Sequence, residues 1–223
     1  DAERIFVGKN PHGASTPQAE INRTLVREAK AGKVVARLKG GDPLIFGRAA
    51  EEMAALQQAG IPVEVVPGVT AAHACAARIG LPVTLRERVR QFSVATGATS
   101  DGLPDLAWEA LAAPGAACAI YMGVGNAPVI RRHLLAAGAD PGTPVVLVEN
   151  GTRADERAAA TTLGDLADCV THLGFVGPAV IFVGLDWSDA CLERPQSVAV
   201  YRRTAAPERR MGTPPSLELE TLQ

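Results

Sequence analysis

The chain has 223 residues, 47 % hydrophobic and 21 % charged, with 22 basic against 24 acidic residues and a net charge of −2. That apolar content excludes a wholly disordered chain. The charge balance argues against a nucleic-acid partner held by phosphate neutralisation, although eighteen arginines leave room for a local anion-binding cleft. Apolar runs fall short of the ~18 residues that read as a membrane span. The four cysteines, Cys75, Cys118, Cys169 and Cys191, are too far apart for a metal knuckle or a CxxC pair. They read as reduced, mostly buried thiols of a cytoplasmic protein.

Short β-branched runs alternate with Ala/Leu-rich segments, the pattern of an α/β protein. Ile5-Phe6-Val7 reads as a strand. Ser15-Thr16-Pro17 signals a helix start, with a hydroxyl cap and then proline. The helix carries Ile21, Leu25 and Ala29 on one face and stops at Gly32. Val34 to Leu38 is predicted as a strand, broken by Gly40-Gly41-Asp42-Pro43. A helix follows from about Ala49 to Ala59, then a strand from Val63 to Val66, and a helix from Thr70 to Ile79. The basic stretch from Leu81 to Arg90 reads as a linker, which sets domains at 1–85 and 91–188 and an extended, proline-rich tail at 189–223. In the second half, strands are predicted near Gln91–Ala95, Ala117–Met122, Val145–Glu149 and Ala179–Val183. Helices are predicted near Leu106–Ala112, Ala127–Ala137 and Leu163–Thr171. A further strand at Ala158–Thr162 follows Asn150-Gly151-Thr152 too closely for a crossover helix, so it should return as an antiparallel hairpin.

The chemistry concentrates where strands end, the edge at which open α/β sheets bind ligands. Arg37-Leu-Lys-Gly-Gly-Asp-Pro-Leu-Ile-Phe-Gly-Arg48 feeds a strand into a loop whose glycines admit a ligand close to the backbone, with basic residues on both sides. Pro67-Gly-Val-Thr-Ala-Ala72 is a second such loop, one helix and one strand later, so the two should lie side by side. Tyr121-Met122-Gly123 and Glu149-Asn150-Gly151-Thr152 are the third and fourth.

These four segments resemble the S-adenosylmethionine-dependent uroporphyrinogen-III C-methyltransferases of the tetrapyrrole methylase superfamily. The likeness runs from Arg4 to about Gly184, and Val7-Gly8-Lys9 and Gln18-Ala-Glu-Ile-Asn22 also match. It implies a two-domain tetrapyrrole methylase fold with the cofactor in the interdomain cleft. Carried over residue by residue, Gly40, Gly41, Asp42 and Ile45 resemble the first cofactor loop and Thr70 and Ala71 the second. Met122 and Gly151 resemble the contacts of the second domain, and Pro178-Ala179 resembles a further cleft-lining segment. Arg37, Lys39 and Arg48 would face the substrate, Asn126 would stand near it, and Lys9 matches a position that moves protons.

The resemblance implies S-adenosylmethionine as methyl donor, S-adenosylhomocysteine as product, and uroporphyrinogen III as the acceptor. Methyl groups would go to its carbons 2 and 7, giving precorrin-2. It also implies a homodimer. A methylase of another corrin-pathway intermediate is the alternative enzyme, and a non-catalytic cofactor- or tetrapyrrole-binding fragment is the alternative of another class. The family opens with a strand and a Gly-x-Gly-x-Gly-Asp loop, and that first βα unit is missing here. The expectation is therefore that an N-terminal segment precedes Asp1. The porphyrinogen ring is rimmed with carboxylates, which calls for several Arg and Lys in one cleft. Displacement of a sulfonium methyl disperses charge, so positioning should supply most of the acceleration, ~7–11 kcal/mol at best.

Overall fold

The computed structural model describes residues 2–8, 16–98, 102, 104–190, 198–201 and 220–221. The chain divides into two compact units, 1–70 and 71–223.

In the first unit, helices α1 (Gln18–Lys30) and α2 (Ala49–Gln58) form as the periodicity predicts. They pack with Ile21, Leu25 and Ala49 buried. Gln18 Nε2 donates to Glu52 Oε1 at 3.2 Å and Asn22 Nδ2 donates to the Glu51 carbonyl at 3.3 Å, fixing their register. Pro17 stands at the N-cap of α1 and no side chain caps the helix, so the predicted hydroxyl cap does not form at Thr16; Ser15 lies outside the described residues.

The three strands expected at Ile5–Val7, Val34–Leu38 and Val63–Val66 are corrected: among the described residues, no strand forms before residue 91. A β-branched run becomes a strand by ladder pairing and by burying a face. These segments have neither, and Val34, Leu38 and Val66 stay exposed.

The second unit holds a seven-stranded sheet: β1 (Gln91–Thr96), β2 (Ala116–Tyr121), β3 (Pro144–Glu149), β4 (Arg157–Thr162), β5 (Ala179–Val183), β6 (Val198–Val200) and β7 (Glu220–Thr221). The spatial order is β1-β2-β5-β3-β4-β6-β7. Strands β1/β2 and β4/β6 are parallel, and the other neighbours are antiparallel, including the predicted β3–β4 hairpin. Helix α3 (Ala71–Arg78) precedes the sheet. Helices α4 (Trp108–Ala112), α5 (Ala127–Ala136) and α6 (Leu166–His172) connect its strands.

The central strands are apolar along nearly their whole length because both faces are covered. On one face Ala119, Val146, Val148, Val180 and Phe182 pack with Ala72, Cys75 and Ala76 of α3. On the other, Cys118, Ile120, Leu147 and Ile181 pack with Ile130 and Leu134 of α5 and Leu166 and Cys169 of α6. The period-two alternation of each strand sends neighbouring residues to opposite cores.

Two expected boundaries move. The units divide ahead of α3, not at 86–90, because α3, Leu81 and Val89 bury their apolar side chains in the core beneath the sheet. Leu85 and Val89 close a tight turn instead of forming a free linker. The segment from 189 is not wholly an extended tail, since β6 and β7 join the sheet beyond β4. Among the described residues no helix is long and apolar enough to cross a membrane.

Phe182 is fully buried at the centre of one core. Phe182→Ala should cost ~3–5 kcal/mol, seen as a lower urea midpoint for the second unit; a loss below ~1 kcal/mol would mean the core collapses around the cavity.

Candidate functional site

In the first unit, the loops around Gly41 and Gly68 lie side by side as expected, and the Asp42 carboxylate joins them. Its Oδ1 accepts from Leu44 N at 2.9 Å and its Oδ2 from Gly68 N at 3.1 Å. A Cβ on Gly68 would lie 2.4 Å from the Gly41 carbonyl, and Gly41 itself has φ 74°, so both positions require glycine. Ile45 N donates to the Asp42 carbonyl, which closes the turn ahead of Gly47. Thr70 is the last residue of this unit.

The basic residues of this segment are engaged by glutamates. Glu52 is 4 % exposed; it pairs with Lys39 Nζ at 2.8 Å and Arg37 Nε at 3.2 Å. Burial would raise the Glu52 carboxyl, but hydrogen bonds from Lys39 and Gln18 and the charges of Arg37 and Lys39 hold it below the usual carboxylate range. Lys39 is thus a nearly buried partner of Glu52 rather than an open cation. Arg48, left-handed at φ 56°, caps α2 and holds both oxygens of Glu51 at 2.7 and 2.8 Å on the surface.

In the second unit, a pocket of about 800 Å³ opens where β2 and β3 end and β5 begins. It brings together the predicted residues Ala71, Met122, Gly151 and Ala179. Asn126 is not among its lining residues; its Nδ2 donates to the Gly97 carbonyl at 2.7 Å and ties the loop after β1 to the turn before α5. Lys9 lies outside the described residues.

Two lining residues, Met122 (φ 54°) and Asn150 (φ 52°), are left-handed, a strained state that packing must hold. Asn150 N donates to the Pro178 carbonyl at 2.9 Å, locking one loop to the other. Tyr121 Oη accepts from Ala72 N at 2.7 Å and supports the start of α3. A Cβ on Gly151 would sit 2.3 Å from Cys75 Sγ. The Cys75 thiol is pushed up to about 11 by burial and by Glu156, so it is protonated at neutral pH and is no nucleophile.

Sequence reasoning missed Cys75, the segment 174–177, and the pair behind that segment. Glu149, 3 % exposed, ends β3 directly across from Arg157, which begins β4. Its Oε2 meets Arg157 Nε at 2.5 Å, and its Oε1 accepts from Val176 N at 2.8 Å and Gly177 N at 2.6 Å. Burial would raise the Glu149 carboxyl, but the Arg157 hydrogen bond, the two amides and the Arg157 charge together hold it below the usual range. The available signal was a pair of opposite charges at the ends of two apolar strands joined by a hairpin. Among the described residues no group of three or more His, Cys, Asp or Glu is placed to hold a metal ion.

The model of the tetrapyrrole (corrin/porphyrin) methylases matches residues 3–167. The chain belongs to that family. The chain is 48 % identical over 185 residues to the siroheme synthase of Gluconacetobacter diazotrophicus and 47 % over 184 residues to that of Thioalkalivibrio sulfidiphilus. These alignments cover 82 % of the chain but 39 % and 38 % of those proteins, so it spans about two-fifths of the length of these curated relatives. The uroporphyrin-III C-methyl transferase from Thermus thermophilus, solved in complex with S-adenyl homocysteine, superposes with a TM-score of 0.69 at 38 % identity, covering 82 % of this chain and 76 % of that one. A cobalt precorrin-4 methyltransferase superposes with a TM-score of 0.68 at 28 % identity, covering 74 % and 70 %.

Gly151→Ala should destabilise the second unit by ~1–3 kcal/mol through overpacking, and Cys75→Ala in the same protein should restore most of the loss by removing the sulfur. Thermal melts of the two variants check this; a double variant no better than the single one would place the strain elsewhere.

Glu52 and Glu149 both have folded pKa values below the ordinary 4.5. Each therefore contributes stability that is fully present above pH 4.5 and is lost as the pH falls through the lowered folded value. Urea midpoints should be flat from neutrality down to about pH 5 and then fall, and Glu149→Gln should make that acid loss smaller. An unchanged acid slope in the variant would show that Glu149 does not contribute to it.

Proposed function

We propose that this chain transfers methyl groups from S-adenosylmethionine to carbons 2 and 7 of uroporphyrinogen III, giving precorrin-2. The observation that carries the reading is the pocket of the second unit, lined by Ala71, Met122, Gly151 and Ala179, in a chain 38 % identical to a uroporphyrin-III C-methyl transferase. The residues fit the donor. Gly151 and Gly177 line the pocket with bare backbone, and Val148, Phe175 and Val180 supply an apolar wall for an adenosine group. Ala71, Met122, Gly151 and Ala179 would hold the cofactor, with Gly40, Gly41, Asp42, Ile45 and Thr70 as the corresponding loops of the first unit.

When bound, the cofactor supplies a sulfonium methyl as electrophile. The protein's part is to hold it, exclude water with the apolar wall, and orient the acceptor. The acceptor's carboxylates require arginine, and Arg48 is the exposed candidate, with the less exposed Arg37, paired to Glu52, as a second. Arg48 would exchange its Glu51 partner for a substrate carboxylate, a substitution of like for like that costs little on a surface. Lys39 acts at one remove, by neutralising Glu52. Lys9 would take the proton released from the ring. A homodimer belongs to the same reading. The similarity to the cobalt precorrin-4 methyltransferase favours a methylase of a later corrin intermediate as the second reading.

The test is transfer of labelled methyl from S-adenosylmethionine to uroporphyrinogen III, with a doubly methylated product expected and labelling of a later intermediate alone supporting the second reading. Arg48→Ala should lower transfer at least ~10-fold, the loss of ~1.4 kcal/mol in transition-state binding. Arg48→Lys should recover part of it, since lysine lacks the fork. Full activity in Arg48→Ala would confine that residue to its ion pair with Glu51.

A further inference from the structure

The pocket wall from Gly174 to Pro178 belongs to no helix or strand, yet it lines the pocket at every residue. Short irregular segments are mobile unless their backbone groups are satisfied. Here the Gly174 and Phe175 amides bond back to α6 and the Pro178 carbonyl accepts from Asn150 N, while one ion pair takes the Gly174 carbonyl and the Val176 and Gly177 amides between them. The Glu149 carboxylate takes the amides of Val176 and Gly177. The Arg157 guanidinium donates through Nη1 to the Leu173 carbonyl at 2.7 Å and through Nη2 to the Gly174 carbonyl at 2.5 Å. It also lies 4.5 Å from the centre of the Phe175 ring. Residues 173–177 are thus gripped in order by two carbonyls, a ring and two amides.

The grip reaches the wall from behind. Neither Glu149 nor Arg157 lines the pocket. Their mutual position is set by the β3–β4 register, in which they are direct partners. Gly177 allows the approach: a Cβ there would already lie 3.2 Å from Glu149 Oε1. Gly174, left-handed at φ 61°, turns the chain out of α6 so that its carbonyl meets Arg157. A guanidinium fork suits this task, since it can donate in fixed directions to a carboxylate and two carbonyls together.

We propose that Glu149 and Arg157 are positioning residues of this methylase, a clasp that sets the 173–178 wall in its ligand-ready form before the cofactor arrives. The proposal rests on the reading of the pocket as the cofactor site. Pre-organisation lowers the ordering cost of binding, so the clasp acts on cofactor affinity and not on the acceptor.

The experiment is calorimetric titration with S-adenosylhomocysteine, at a temperature well below unfolding, on the unmodified protein and on Arg157→Lys and Glu149→Gln. Absence of binding to the unmodified protein would overturn the cofactor reading itself. Given binding, both variants should bind ~10-fold more weakly or worse at unchanged stoichiometry. In turnover, KM for S-adenosylmethionine should rise while KM for the tetrapyrrole stays constant. A merely structural pair would reduce the active fraction and leave both constants alone, and that result overturns the clasp. Hydrogen exchange on the unmodified protein gives a reading independent of how the variants fold. The Val176 and Gly177 amides should be protected without ligand, and exchange at unstructured rates would overturn the proposal.

Discussion

Burial of the sheet on both faces governs the second unit. Strands β2, β5 and β3 have helix α3 below and α5 and α6 above, so their side chains are apolar along nearly their whole length. Polar chemistry is thereby pushed to the strand ends. Tyr121 ends β2, Glu149 ends β3, and the left-handed Met122 and Asn150 follow directly after them. Because β5 runs antiparallel between β2 and β3, its entry loop meets their exits, and the pocket forms at that junction.

Such a junction needs internal support, since loops cannot draw on a ladder. The support comes in pieces of backbone satisfaction. Asn150 is tied to Pro178, Ala72 to the Tyr121 hydroxyl, and Asn126 to Gly97. Close approach is permitted where side chains are absent: a Cβ on Gly97 would lie 2.5 Å from the Gly123 Cα. Glu149 takes three such bonds, and its burial is tolerated because a cation and two amides compensate it.

The first unit uses the same device on a smaller scale. Glu52 sits buried on α2 and gathers Gln18 from α1 with Arg37 and Lys39 from the segment between the helices. Asp42 does comparable work for the two glycine loops. In both units a carboxylate organises irregular backbone that no strand or helix could hold.

The sequence by itself determined whatever depends on near neighbours. The 3.6-residue spacing of Ile21 and Leu25 marked α1, and Gly32, Gly60 and Gly80 marked helix ends. The apolar runs ending near Met122 and Glu149 marked strands, and the motif around Gly40-Gly41-Asp42-Pro43 marked the family. Only the tertiary structure decided which partners those residues take. Val34–Leu38 has the composition of a strand, but a strand needs a neighbour's donors and acceptors, and composition does not supply them. Lys39 and Arg48 look alike as cations flanking a loop; packing buries one against Glu52 and leaves the other on the surface with Glu51. Glu149 and Arg157 are ordinary charges in the sequence. The hairpin register makes them partners, and the return of the chain after α6 brings the 173–177 backbone within their reach, because hydrogen bonds depend on distance in space and not along the chain.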